Sequence, residues 1–83
     1  MTRLSLIGKP GCHLCDDART VIEAVLSELD DPRIELQELS ILDDAALHEK
    51  HWEEIPVLLI DDVVHGFWRI DPERLRRALT EEP

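Results

Sequence analysis

Two cysteines three positions apart, directly after a cluster of glycine and proline, constrain this 83-residue chain more than any other feature. Cys12 and Cys15 follow the stretch 8–11, which contains two glycines and one proline and interrupts the apolar run before it. The stabilisation that a disulfide gives a chain grows with the length of the loop it closes, so this pair is a poor structural staple. Two uses of the cysteine pair therefore remain, namely redox chemistry and metal binding.

Hydrophobic patterning predicts seven elements in the order β-α-β-α-β-β-α. Apolar runs predict strands over residues 3–7, 33–39, 57–60 and 63–65. Apolar residues at three- and four-residue steps predict a helix over 12–29, and two further helices begin at Asp43 or Asp44 and at Asp71, which are typical capping residues. The predicted fold is a single α/β domain over residues 1–83, with a four-stranded mixed sheet and helices on both faces.

The apolar positions of these elements define an expected core. The buried stripe of the first helix is expected to hold Leu14, Ala18, Val21, Ile22, Val25, Leu26 and Leu29, and that of the last helix Leu75, Ala78 and Leu79. Phe67 and Trp68, near the end of the predicted hairpin, are expected in the core as well, and the alternative is that they frame a binding groove. His48 and His51 are expected on the outside of the short acidic helix.

The charge balance excludes two classes of partner. Nine basic residues against nineteen acidic ones give a formal net charge of −10, so neither nucleic acid nor an anionic membrane is an expected partner. No stretch approaches the roughly 20 apolar residues of a membrane span, and the first apolar run is shorter than the roughly 7–15 residues of a secretory signal. We therefore expect the protein in the cytoplasm, where cysteines are normally kept reduced. We also expect a monomer, because a second thiol three residues from Cys12 outcompetes a second molecule for it.

The position of the cysteines at a helix start favours thiol chemistry. Unpaired backbone N–H groups and the helix dipole stabilise negative charge there, so we expect the pKa of the Cys12 thiol to lie below its ordinary value of about 8.5. Lys9 adds a cation upstream and His13 could add another, whereas two aspartates in the first turns oppose the effect. Residues three apart meet across one helical turn, so Cys15 could resolve a mixed disulfide formed at Cys12.

Three segments resemble those of glutaredoxins and of the short glutaredoxin-like proteins related to them. The segment Lys9–Cys15 is similar to their active-site loop, with one cysteine at each end of a C-x-x-C motif. The segment Glu54–Leu58 resembles their cis-proline loop, which faces the cysteines. The segment Asp43–Trp52 resembles the acidic helix that precedes this loop in the glutaredoxin-like group.

The resemblance implies a thioredoxin-like fold and a thiol–disulfide oxidoreductase, with Cys12 as nucleophile and Cys15 as resolving thiol. The Ile55–Pro56 bond is expected to be cis beside the substrate groove. The residues expected to bind substrate are Lys9, His13, Ile55, Pro56 and Gly66. The expected substrate is a disulfide-containing protein or a small thiol, and no cofactor is expected to stay bound.

The reductant implied by the resemblance is glutathione or another low-molecular-weight thiol, and a flavoprotein reductase is a further candidate. Many glutaredoxins hold the γ-glutamyl end of glutathione with a Gly-Gly turn and an acidic residue after the hairpin. Here Gly66 is followed by the bulky Phe67 and Trp68 and by Arg69, and Asp71 is expected to cap the last helix. We therefore hypothesise that glutathione is a poor reductant and that a dithiol or a reductase serves better.

Other functions stay open on the sequence alone. Cys12 could anchor an iron–sulfur cluster between two copies of the chain, as some glutaredoxins do, or the domain could be a non-catalytic adaptor that only docks a partner. A zinc site built from both cysteines with His48 and His51 is a further alternative, although that spacing matches no common zinc motif. Arg69 could bind an acidic group of a substrate or simply be solvated.

Overall fold

Seven elements follow one another in the order that the sequence predicts, in a computed structural model that describes residues 2–80. The predicted and observed bounds agree closely, because each element has its own apolar pattern and its own start or stop signal. The elements are β1 (Thr2–Gly8), α1 (His13–Leu29), β2 (Ile34–Ser40), α2 (Ala45–His51), β3 (Val57–Ile60), β4 (Val63–Phe67) and α3 (Pro72–Thr80).

The sheet has the mixed topology that the sequence predicts. Its strand order is β2-β1-β3-β4, with β1 parallel to β2 and antiparallel to β3, and with β3 antiparallel to β4. At the centre of the sheet Ile7 pairs with Val57, so the C-terminal end of β1 and the N-terminal end of β3 lie at the same end of the sheet. The segments that follow β1 and precede β3 are therefore neighbours.

The main core lies between the sheet and the helices α1 and α3. Its buried members are Leu4, Leu6, Ala18, Ile22, Val25, Leu58, Ile70 and Leu75. Most residues of the predicted helix stripes are buried or partly buried, as expected. Leu14, however, is 39% exposed and Ala78 is exposed, so these two predictions are wrong. In the first turn of α1 it is Cys15 that faces inward, and α3 meets the core through Leu75 and Leu79.

A smaller core lies on the opposite face of the sheet. It contains Ile7, Ile41 and Val57, against which Leu47, Ile55 and Leu59 pack. His51, one turn after Leu47 on the same face of α2, is only 8% exposed, so the prediction that it lies on the outside is wrong. Among residues 2–80 its Nδ1 atom has no hydrogen-bond partner.

Aspartate side chains cap two helix starts, as predicted, and two aspartates form the hairpin turn. Asp44 and Asp71 each accept a backbone N–H from the first turns of α2 and α3, in both cases at 2.9 Å. Asp61 and Asp62 connect β3 to β4 with φ of 48° and 69°. Two consecutive positive φ values are typical of the tight turn whose twist matches a β-hairpin.

The end of β4 departs from the predicted core. Phe67 is 44% and Trp68 53% exposed, so the prediction that these aromatics are buried is wrong. The pairing of β3 with β4 shifts register at His65, which has no partner between two successive pairs. Trp68 itself has a φ of 65°, in the left-handed region. A bulge and a left-handed residue both redirect side chains, which explains why the local apolar pattern misleads here.

The outer faces of α1 and α3 are charged and joined by ion pairs. Arg76 donates to Glu28 at 2.8 Å and also to Glu73. Exposed pairs of this kind contribute little to the free energy of unfolding. None of the helices within residues 2–80 combines the length and the apolar character that a membrane span requires.

Replacement of Leu75 by alanine should destabilise the fold, because this side chain is completely buried in the main core. Such changes cost about 2–5 kcal/mol of unfolding free energy. The matched control is Leu42→Ala, since Leu42 is 67% exposed and its loss should change that free energy by less than about 0.5 kcal/mol. Urea denaturation followed by circular dichroism measures both variants, and equal effects would contradict the packing of α3.

Candidate functional site

Cys12 forms the N-cap of α1 with its sulfur atom. Its backbone is extended, with φ −96° and ψ 113°, and its Sγ accepts the backbone N–H of Cys15 at 3.2 Å. Its carbonyl oxygen accepts the N–H of Asp16 at 3.1 Å. At this helix position the side-chain acceptor is usually an oxygen of Ser, Thr, Asp or Asn. The sulfur therefore lies where free N–H groups and the helix dipole favour negative charge.

Cys15 lies in the first turn of α1, within bonding reach of Cys12. Their Cα atoms are 5.2 Å apart, and the two sulfurs form a disulfide in this structure. Cys15 is 3% exposed, whereas Cys12 is partly exposed. A molecule that arrives from solvent thus reaches Cys12 more easily than Cys15, and this difference fits the predicted roles.

Gly8, the last residue of β1, makes room for Cys15. A Cβ atom at position 8 would lie 2.7 Å from the Cys15 Sγ and 3.1 Å from its Cβ, closer than non-bonded atoms normally approach. The sequence pattern presents Gly8 only as a strand terminator, so its contact with the site is missed there. The available signal is that a glycine within a strand often marks the close approach of another group.

The loop of residues 53–56, called the proline loop below, lies at the same end of the sheet as the cysteines. Its Ile55–Pro56 bond is cis, which confirms the prediction. Pro56 directly precedes the residue that pairs with β1, so it lies across from the start of the segment 8–11 that leads to the cysteines. Pro56 is buried, and the half-buried Ile55 packs against the smaller core.

Two shallow grooves beside the N-terminal part of α1 are lined mainly by apolar side chains. The first, of about 410 Å³, is lined by Leu14, Phe67, Trp68 and Arg69. The second, of about 240 Å³, shares three of these residues and extends along α1. The rings of Phe67 and Trp68 meet edge to face, with centroids 5.0 Å apart. The aromatics that the sequence predicts as core thus line surface grooves next to Leu14, one of the two residues between the cysteines.

A third groove, on the β2 side of α1, is charged. It has a volume of about 390 Å³, and Lys9, Cys15, Arg19 and Glu38 are among its lining residues. Arg19 pairs with Glu38 and, at 3.2 Å, with Asp16, and its hydrogen bond to Glu38 holds the pKa of Arg19 above the ordinary value. Lys9 is exposed and forms no ion pair within residues 2–80, so its ammonium group is available to a substrate.

The two remaining predicted site residues are His13 and Gly66. His13 is the exposed first residue of α1, adjacent in sequence to Cys12. Gly66 is half-buried in β4, and a Cβ atom there would first meet Arg74 and Ile70, at 3.8 and 4.0 Å. Gly66 therefore faces α3 and the segment that leads into it. Its role in binding substrate stays a prediction.

The arrangement of the histidines does not form the zinc site considered above. Within the part of the chain that the structure describes, no group of three His, Cys, Asp or Glu side chains is placed to hold a metal ion. His48 stays exposed on α2 and stacks on Trp52, with ring centroids 6.3 Å apart. His51 is buried on the α2 side of the sheet instead of meeting the cysteines.

Comparison with known proteins agrees with this architecture. A family model described as "Glutaredoxin-like domain (DUF836)" matches residues 3–80. The X-ray structure of the structural genomics target protein XcR50 from X. campestris is 30% identical, covers 96% of this chain and 99% of that chain, and has a TM-score of 0.67. The solution NMR structure of protein Ne2328 from Nitrosomonas europaea is 21% identical, covers 89% of this chain and 86% of that chain, and has a TM-score of 0.74. A search of curated proteins finds no match. The fold is thioredoxin-like, as the resemblance implies.

The change Gly8→Ala should destabilise the fold by about 1–3 kcal/mol, because the added methyl group overlaps the Cys15 sulfur. Gly66→Ala is the matched control in β4, since its Cβ would meet no atom closer than 3.8 Å. The control should shift the free energy of unfolding by no more than about 1 kcal/mol. Urea denaturation of the oxidised proteins measures both, and a Gly8→Ala protein as stable as the wild type would refute the close contact.

Proposed function

Because this chain belongs to the glutaredoxin-like domain family, we propose that it is a thiol–disulfide oxidoreductase in which Cys12 and Cys15 act as a dithiol electron donor. The observation that carries the proposal is the asymmetry of the pair. Cys12 is partly exposed and caps a helix with its sulfur, while Cys15 is 3% exposed and lies within disulfide reach. The Cys12 thiol can therefore react with a substrate while the Cys15 thiol remains buried behind it.

The proposed reaction transfers two electrons to a substrate disulfide in two exchanges. The Cys12 thiolate attacks one substrate sulfur, the substrate S–S bond breaks, and the leaving thiolate takes up a proton. The Cys15 thiolate then attacks the Cys12 sulfur, breaks the mixed disulfide and releases the second substrate thiol. The product is the Cys12–Cys15 disulfide, the state of the present structure. An external thiol or reductase must return the two electrons.

The surroundings of Cys12 support its role as the attacking thiol. A thiolate, not a thiol, is the nucleophile, and helix N-termini and nearby cations increase the thiolate fraction. The N–H of Cys15 already points at the Cys12 sulfur at 3.2 Å. Lys9 is the exposed cation on the segment that leads to the pair, while the Asp16 carboxylate is engaged by Arg19 at 3.2 Å.

The proposed substrate is a disulfide-containing protein or a small thiol compound, and the proposed setting is the cytoplasm. Lys9, His13, Ile55 and Pro56 are the proposed contacts, since all lie on the segments that approach Cys12 or the proline loop. Gly66 is kept as a proposed contact only through the resemblance. A net charge of −10 supports a partner other than nucleic acid or an anionic membrane, and we propose that the protein acts as a monomer.

The dithiol role is preferred to an iron–sulfur carrier role. Iron–sulfur clusters are held mainly by four cysteine thiolates, so a cluster between two copies that each contribute Cys12 needs further ligands. Cys12 instead lies within disulfide reach of Cys15, and residues 2–80 offer no group of three metal-binding side chains. The nearness of a second thiol therefore supports exchange chemistry.

Serine variants of the two cysteines test the proposal. Cys12→Ser should reduce turnover of a peptide disulfide to the background rate, because the attacking thiolate is gone. Cys15→Ser should still attack but should accumulate a one-to-one mixed disulfide with the substrate, which intact-mass spectrometry detects. The control is Ala24→Ser, which adds a hydroxyl group at an exposed position of the same helix and should leave turnover unchanged. Full turnover by Cys12→Ser would refute Cys12 as the attacking thiol, and a wild type that turns over no disulfide would favour the adaptor role.

The segment after β4 supports a reductant other than glutathione. Phe67 and Trp68 occupy it with two exposed rings, and Arg69 repels the amine of a γ-glutamyl group. The Asp71 carboxylate is already engaged, since it accepts the backbone N–H of Glu73 at 2.9 Å. A buried polar group without a partner costs about 1–3 kcal/mol, which corresponds to about one or two factors of ten in affinity.

Reduction of the oxidised protein by a dithiol should accordingly be at least about tenfold faster than reduction by glutathione, at matched reduction potential and pH. Stopped-flow or quenched-flow measurements with dithiothreitol and with glutathione give the two rates. Saturable kinetics with glutathione, at rates equal to those of the dithiol, would show that the bulky residues after Gly66 do not hinder it.

A further inference from the structure

Trp68 connects the end of β4 to both ends of the proline loop. Its backbone N–H donates to the carbonyl oxygen of Pro56 at 2.8 Å. Its indole Nε1–H donates to the carbonyl oxygen of Glu53 at 3.1 Å. Glu53 and Pro56 are the first and last residues of this loop, so a single residue holds the whole loop against β4.

The backbone of Trp68 is in an unusual state for such a residue. Its φ of 65° lies in the left-handed region, which glycine and asparagine adopt far more readily than a bulky side chain does. The indole N–H of tryptophan acts only as a donor, and here that donor reaches the carbonyl oxygen of Glu53. A strained residue with a specific contact is a reason to ask what the contact does.

The same indole ring also borders the helix that carries the cysteines. Trp68 and Leu14 line both apolar grooves, and Leu14 directly precedes Cys15 in α1. The ring of Phe67 meets that of Trp68 edge to face and so restricts its orientation. Trp68 thus lies between the cysteine-bearing helix and the proline loop.

We propose that Trp68 is a positioning residue that fixes the proline loop relative to the cysteine pair. It acts through the loop and not on the reacting sulfurs, because its two hydrogen bonds go to loop carbonyl groups. When the hydrogen bond from the indole N–H is lost, nothing from Trp68 holds the loop at Glu53. A substrate that binds between the loop and α1 is then held less well over Cys12. The kinetic consequence rests on the proposed function, whereas the hold on the loop does not.

Trp68→Phe tests the inference, since it keeps an aromatic ring and removes only the ring N–H. The matched control is Trp52→Phe: Trp52 is 55% exposed, and its indole N–H makes no hydrogen bond within residues 2–80. For Trp68→Phe we expect kcat/KM for a peptide disulfide to fall about fivefold, the effect of one lost hydrogen bond. Alkylation of Cys12 by iodoacetamide should keep its rate, because this small reagent needs no positioned loop.

Hydrogen exchange measured by NMR tests the hold on the loop directly. In the wild type the indole N–H of Trp68 should exchange more slowly than that of Trp52. The Glu54 amide, which donates to His51 at 2.8 Å, should exchange faster in Trp68→Phe and not in Trp52→Phe. Three results for Trp68→Phe would each overturn the inference. They are unchanged exchange of the Glu54 amide, unchanged kcat/KM, and a fall in the alkylation rate of Cys12 equal to the fall in kcat/KM. A wild type without cysteine-dependent turnover refutes the proposed function instead, and exchange alone then decides the role of Trp68.

Discussion

The contact between Gly8 and Cys15 sets how closely the first helix lies on the sheet. Since position 8 has no side chain, the first turn of α1 approaches until the Cys15 sulfur fills the space where a Cβ atom would be. Ala18 and Ile22 follow on the same buried face, and Cys12 is left at the partly exposed helix start. The antiparallel register of β1 with β3 then brings the proline loop to the same place. The site is therefore a consequence of backbone packing.

The sequence predicts the parts of this structure that depend on local chemistry. The apolar stripe of α1, the continuous run of β3 and the capping aspartates Asp44 and Asp71 each act within a few residues, so their patterns indicate the elements and their order. The cysteine pair and the cis bond before Pro56 were predictable because they belong to segments that resemble a known family. What these segments bind was not determined by the same patterns, and it stays a proposal.

The predictions that failed concern which side chains are covered by distant parts of the chain. His51 is buried because α2 lies on the sheet, and Phe67 is exposed because β4 changes register and direction at its end. Neither event is visible in the local alternation of polar and apolar residues. The contacts of Gly8 and Trp68 were missed for a related reason, since their partners lie in other elements of the fold: Cys15 in α1, and Glu53 and Pro56 in the proline loop. Tertiary packing decides these positions.

The outer position of β4 in the sheet has a consequence for self-association. An outer strand has backbone groups that a second copy could pair with, and β4 adds apolar side chains, Val63 at 69% and Val64 at 48% exposure. Two features oppose such pairing. The register shift at His65 interrupts the row of unpaired backbone groups along β4, and a net charge of −10 makes copies of the chain repel one another. Acid weakens only the second of these protections, because it neutralises the carboxylates. We therefore expect the chain to aggregate more readily as the pH falls from 7 towards its isoelectric point of about 4.6, where the net charge vanishes.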